Sequence, residues 1–278
     1  MDPAPPSFLT RNEFLIRRLH SLSGLIPVGA YMVIHLITNA SVLGGAGAFQ
    51  KQVYTIHSLG PILPLVEWTF IFIPILFHAI IGVWIVAGGL PNTVAYPYGA
   101  NWRYSLQRWT GMIAFVFIAW HVFHMHGWFH GDAWIKNVVE PYGGGLFRPY
   151  NAASSAGLAL QSLVVTILYA IGVLSCVYHL ANGIWTMGIT WGVWTSPAAQ
   201  RRALWACGVF GVLLGVVGLG ALGGMRAVGS GEALDEARQV EERMYQHRIN
   251  AGELAPDEHK RATTDLPRQR PVADVARP

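Results

Sequence analysis

The sequence predicts an all-α integral membrane protein, a bundle of five transmembrane helices. Three observations predict it. Mean hydropathy is +0.37. Only 12% of the 278 residues are charged, about half the share found in a soluble domain. Five apolar runs are near or above the roughly 20 residues that cross a bilayer.

The N-terminal arm, residues 1–21, has no apolar core and carries Arg11, Arg17 and Arg18. The run that follows lacks a cleavage motif and is read as a retained helix rather than a signal peptide. That first run, 22–43, ends at Gly44-Gly45 and Gly47. The second, 64–90, ends at Gly88-Gly89 and Pro91-Asn92. The third, 106–129, is separated from the fourth, 157–187, by Pro141 and Gly143–Gly145. Ser196-Pro197 introduces the fifth, 203–224. Each break has turn chemistry. Pro27 and Pro74 fall inside runs and predict kinks, which membrane helices tolerate because neighbours re-satisfy the freed carbonyls. Residues 22–224 are thus the membrane domain and 225–278 a polar tail with nine Lys/Arg against ten Asp/Glu. In the tail, Ala233, Ala237, Val240 and Met244 repeat at helical spacing and predict one amphipathic helix. Charge and proline after Pro256 favour disorder.

Lys/Arg placement predicts orientation. The arm, the second-to-third loop and the fourth-to-fifth loop carry Arg11, Arg17, Arg18, Arg103, Arg108, Arg201 and Arg202, and the opposite loops only Lys51, Lys136 and Arg148. The N-terminus is therefore expected in the cytoplasm and the C-terminus outside. The basic residues are interrupted by spans and form no stripe, which excludes nucleic-acid binding. The two cysteines cannot ligate an iron–sulfur cluster. There is no C-x-x-C-H for covalent haem and no G-x-G-x-x-G after a strand for a dinucleotide.

Four histidines, His35, His78, His121 and His179, lie deep in four different runs. An ionisable side chain in hydrocarbon is costly and points to function. At 1.5 Å per residue, His35 and His121 both lie about 22 Å above the inner edge, His78 about 18 Å and His179 about 12 Å. They sort into an outer pair, His35 with His121, and an inner pair, His78 with His179. Two levels suit two stacked, non-covalent b-type haems with bis-histidine ligation; one tetrahedral zinc site, the rival reading, would need a single level. Gly82 and Gly183 sit one turn beyond His78 and His179 on the same faces, leaving room for a flat macrocycle or serving ordinary small-residue packing.

At these residues the chain resembles a known family. The stretches are Arg17-Arg18-Leu19-His20-Ser21 leading to Gly24 and Ile26-Pro27-Val28-Gly29; Ile34-His35-Leu36; Phe77-His78-Ala79 with Gly82-Val83; Leu106-Gln107-Arg108 with Thr110-Gly111; Trp120-His121-Val122; His179 with Asn182-Gly183; and Thr190-Trp191-Gly192. Over about residues 11–224 they resemble the single-chain, five-helix, di-haem cytochrome b anchor of succinate:quinone oxidoreductases of Gram-positive bacteria and their relatives. The resemblance implies that His78 and His179 ligate the haem nearer the cytoplasm and that His35 and His121 ligate the distal one. It implies a multi-pass protein of the bacterial cytoplasmic membrane. It also implies a flavoprotein and an iron–sulfur subunit as partners, and menaquinone as electron acceptor. A two-haem wire would let the membrane potential assist an uphill transfer, at about 2.3 kcal/mol per charge per 100 mV. The alternatives are a quinol:fumarate reductase anchor, the cytochrome b of a hydrogenase or formate dehydrogenase, and a haemless tether.

Several polar residues are further candidates. Glu67, near the outer end of the second run, is a candidate proton relay to a quinone, against a carboxylate at the headgroups. His20, Ser21 and Arg108 at the inner edge are candidates for haem propionates, which take charge-assisted hydrogen bonds, while Arg17 and Arg18 suit topology and docking of the iron–sulfur subunit. Asn39, one turn from His35, is placed near the outer haem. His124 is a candidate for a propionate or quinone contact; with His126 and His130 it forms an interfacial set.

Overall fold

The computed structural model describes residues 8–89 and 93–262. All regular structure among these residues is helical. Four helices are long and apolar enough to cross a membrane: Glu13–Gly44, Gly60–Ala87, Leu163–Thr190 and Pro197–Val228.

The first is interrupted at Pro27, giving α1 (Glu13–Leu25) and α2 (Val28–Ala40). Pro27 has no N–H to donate and its ring crowds the preceding turn. The helix begins at Glu13, ahead of the expected residue 22, so His20 and Ser21 belong to it rather than to an arm. After a turn comes α3 (Ala46–His57), an amphipathic helix that the hydropathy of the loop does not announce. The second span, α4 (Gly60–Ala87), contains a π turn at Trp68–Phe72 just ahead of Pro74. Such turns insert a residue and re-aim side chains, and they recur at functional sites. The Pro91-Asn92 stop lies outside the described residues. The helix α5 (Gly99–His126) has 28 residues, as many as Leu163–Thr190, but Arg103, Gln107 and Arg108 make its first half more polar. Next comes α6 (Ala152–Ala159). It is separate from α7 (Leu163–Thr190), because the chain turns at Gln161-Ser162; the sequence had suggested one run from 157. Then follow α8 (Pro197–Val228), which passes the expected end at 224, and α9 (Gly231–Asn250) in the tail.

Central to the bundle is α7, which packs along α5 and α8, while α2 packs on α8 and α1 on α4. Leu36, Val177, Leu180 and Leu214 form the core where α2, α7 and α8 meet. On the outside of α8, Trp205, Val209, Val212, Leu213 and Val216 are exposed. An apolar face of this size is not left to water in a soluble protein, and here it faces lipid.

The bundle has a near end, with Glu13, Ala87, Gly99, Thr190 and Pro197, and a far end, with Gly44, Gly60, His126, Leu163 and Val228. The far end is covered by α3, α6 and α9, joined by two buried polar side chains. Gln50 donates from Nε2 to the Pro149 carbonyl at 2.8 Å and accepts from the Ala152 N–H at 2.9 Å. Glu241 accepts through Oε1 from the N–H groups of Ala153 and Ser154 at 2.7 and 3.0 Å, and through Oε2 from the Ser154 hydroxyl at 2.5 Å. Both side chains are fully buried. The first four N–H groups of a helix lack intrahelical acceptors, so these two residues satisfy three of them from elsewhere in the chain. Beyond α9, the Ala262 N–H donates to Asn151 Oδ1 at 2.9 Å, and the Arg261 guanidinium pairs with Glu242. The rest of the stretch expected to be disordered, 263–278, lies outside the described residues.

Candidate functional site

One cavity of about 2440 Å³ runs through the bundle and is lined by His35, His78, His121 and His179. A typical small-molecule pocket holds about 300–1,000 Å³, so this space exceeds one such site at least twofold.

The histidines meet in two pairs. The rings of His78 and His179 have centroids 6.1 Å apart at an interplanar angle of 84°. Those of His35 and His121 are 6.0 Å apart at 72°. Their levels follow from two glycines that make room for the near rings. A Cβ at Gly24 would overlap Cε1 of His78, and one at Gly111 would lie 2.7 Å from Cε1 of His179. Gly24 is eleven residues before His35 and Gly111 ten before His121, which places the second pair about 15–16 Å further along the bundle. The near pair belongs to α4 and α7, the far pair to α2 and α5, so each pair bridges two helices.

Both near rings are held by main-chain carbonyls. His78 Nδ1 donates to the His20 carbonyl at 2.9 Å and His179 Nδ1 to the Gln107 carbonyl at 3.0 Å. The proton on Nδ1 leaves the Nε2 lone pair of each ring available to a metal, the arrangement in which a carbonyl behind an imidazole fixes its tautomer. Gln107 also donates from Nε2 to the His179 carbonyl at 3.0 Å and accepts from Asn182 Nδ2 at 2.8 Å. The far rings are held by side chains. Asn39 donates from Nδ2 to His35 Nε2 at 3.0 Å, and the Tyr169 hydroxyl lies 3.2 Å from His121 Nδ1.

The remaining candidates spread along the cavity. His20 stacks on His78 with centroids 4.1 Å apart at 9°, so its ring lies inside the bundle beside the near pair. Ser21 accepts from Trp191 Nε1 at 3.0 Å and donates to the Arg18 carbonyl at 2.9 Å. Arg108 lies over the Tyr104 ring at 4.2 Å, its guanidinium in the space beside Gly89. Its Nη1 is buried without a hydrogen-bond partner. Glu67 lines the same cavity, half-buried, directly before the π turn. His124 is buried and bonds the Tyr169 hydroxyl through Nδ1 at 2.8 Å; His126 and His130 pair with each other at 4.3 Å.

Among the described residues, no three His, Cys, Asp or Glu side chains converge where a bare metal ion could sit. Paired imidazoles suit instead a metal whose other positions are filled by a macrocycle. Metal–imidazole bonds are about 2.0–2.1 Å long, so two rings on opposite sides of one ion have facing nitrogens about 4 Å apart and centroids about 6 Å apart. Both pairs show that separation. Tyr169 and Gln107 are the site residues that sequence reasoning missed. Gln107, an amide in the polar half of an otherwise apolar helix, carried a faint signal, and Tyr169 none.

Over 210 residues the chain is 35% identical to the succinate dehydrogenase cytochrome b558 subunit of Bacillus subtilis (strain 168), a match that spans 76% of this chain and 96% of that relative. No protein-family model matches the chain. With apolar helices, paired intramembrane histidines and this likeness together, the chain belongs to the cytochrome b subunits that anchor succinate dehydrogenase in the membrane.

Proposed function

We propose that this chain is the five-span anchor of a succinate:quinone oxidoreductase. Its N-terminus is cytoplasmic, and it conducts electrons from an iron–sulfur subunit, itself served by a flavoprotein, through two bis-histidine b haems to menaquinone. The observation that carries this reading is the two facing imidazole pairs in one cavity, each at the separation that a shared metal requires. The fifth span is α5, which supplies one side of the far pair and lies along α7 for its length.

The residues present fit haem. The near pair would hold one iron and the far pair the other, and each iron supplies a reversible one-electron site when bound. Gly24 and Gly111 let the near imidazoles pack against α1 and α5. The buried, unpartnered Nη1 of Arg108 fits an anionic propionate at the near end, where it would make a charge-assisted hydrogen bond. The His20 carbonyl fixes the tautomer of His78, and the Gln107 carbonyl does the same for His179. Glu67 is placed to hand a proton to quinone at the far end of the cavity.

The test is a redox titration of the purified complex, followed by the reduced b-type absorption. Two one-electron steps are expected. His78→Ala and His179→Ala should each abolish the same step, and His35→Ala and His121→Ala the other. A single step, or variants within one pair that remove different steps, would refute the assignment.

A further inference from the structure

We propose that Tyr169 and His124 are positioning residues for His121, joined in a hydrogen-bonded relay that fixes its tautomer and lowers the reduction potential of the far haem. The inference rests on the haem reading above and adds to it the group that tunes one of the two sites.

The geometry is a three-member chain. The Tyr169 hydroxyl lies 3.2 Å from His121 Nδ1 and 2.8 Å from His124 Nδ1. A phenol has one proton and donates once. With Nδ1 held by Tyr169, Nε2 is the nitrogen that His121 has left for a metal. Its Nδ1 then carries the proton and donates to the phenol oxygen. The phenol proton in turn goes to Nδ1 of His124, which leaves the proton of His124 on Nε2. Each donor has one acceptor, so only one direction of the chain satisfies all three groups.

The surroundings hold this arrangement. Tyr169 and His124 are 5% and 7% exposed, so water does not compete. Phe117 stands edge-on to Tyr169 with centroids 5.4 Å apart at 88°, and Trp120 stacks on His124 at 5.0 Å and 20°. The near pair is built differently, since His78 and His179 lean on main-chain carbonyls, which no side-chain substitution removes. An acceptor behind the imidazole raises its basicity as a ligand, and a more basic ligand favours ferric over ferrous iron. Without the phenol, the far site should therefore become easier to reduce.

The experiment is the optical redox titration of the whole complex carrying Tyr169→Phe, His124→Leu or His124→Asn. For Tyr169→Phe, both steps should remain. The step assigned to His35 and His121 should rise by about tenfold in reduced-to-oxidised ratio at fixed potential, about 59 mV for one electron, while the other step stays. His124→Leu should raise the same step by less. His124→Asn keeps an oxygen where Nδ1 was and should return it toward the wild-type value. Unmoved steps in Tyr169→Phe, or equal movement of both, would overturn the relay. Should Tyr169→Phe lose haem, the His124 variants decide: identical values for Leu and Asn overturn the relay, and a Leu shift reversed by Asn supports it. A wild-type complex without a b-type spectrum overturns the haem reading and this inference with it, whereas a normal spectrum with unmoved variants overturns this inference alone.

Discussion

An imidazole binds metal through one nitrogen while the other keeps its proton, and what accepts that proton decides which nitrogen is free. At His78 and His179 the acceptors are carbonyls on neighbouring helices. His35 differs: the Asn39 amide already caps its Nε2, so ligation through that nitrogen requires the amide to turn aside. Glu67 is a separate residue-scale question. A carboxyl that relays protons contributes about 10²–10⁴-fold to the rate it serves, and Gln keeps its shape without its proton chemistry. Glu67→Gln is expected to slow menaquinone reduction at least a hundredfold, in the lower part of that range, with haem absorption unchanged. Undiminished turnover in that variant would remove Glu67 from the proton path. The four histidines were legible because burying an ionisable ring in an apolar run is conspicuous in one dimension. Tyr169 was not, since a tyrosine in an apolar helix is unremarkable until the fold sets it 45 residues from its partner His124.

At the scale of elements, the far-end cover depends on a helix capped from a distance. The carboxyl of Glu241 sits at the N-terminus of α6, where the helix dipole favours negative charge, yet burial pushes its pKa above the ordinary carboxylate value against the hydrogen bonds from Ser154, Ala153 and Asn151. A carboxyl with a raised folded-state pKa binds its proton more tightly folded than unfolded. Its contribution is therefore most favourable below the unfolded value and is lost as pH rises through the folded one. Glu241→Gln should flatten that part of the pH dependence of thermal unfolding in detergent. Glu241→Ala should destabilise at every pH, at about 1–3 kcal/mol for each buried donor left without an acceptor. Equal melting temperatures for the Ala variant and the wild type would show that the cap is not structural. A long-range cap leaves no local mark: Ala152–Ala159 has no Ser, Thr or Asp cap bonding its own N–H groups, so α6 merged with α7 in a reading by hydropathy. The amphipathic spacing in the tail, by contrast, did point to α9.

At the scale of the molecule, the arrangement of basic residues predicts that the near end faces the cytoplasm. The native cysteines, Cys176 and Cys207, are free and lie within α7 and α8, so single cysteines introduced in their absence report topology cleanly. In intact cells an impermeant maleimide is expected to label a cysteine at position 253 and to spare one at position 12. The reverse pattern would invert the orientation. The bundle was readable because lipid demands long apolar helices, and their hydropathy shows in the chain whatever they pack against. How the ends are sealed was not readable, because that depends on contacts between distant segments. The seal also has a timetable. The acceptor for the Ala153 and Ser154 N–H groups lies 88 and 87 residues downstream of them. At about 5–20 residues per second, a ribosome needs roughly 4–18 seconds to bridge that gap. For that interval the growing polypeptide holds its outer chamber open, and newly made protein has a brief period for loading iron porphyrin before its own last helix shuts the door.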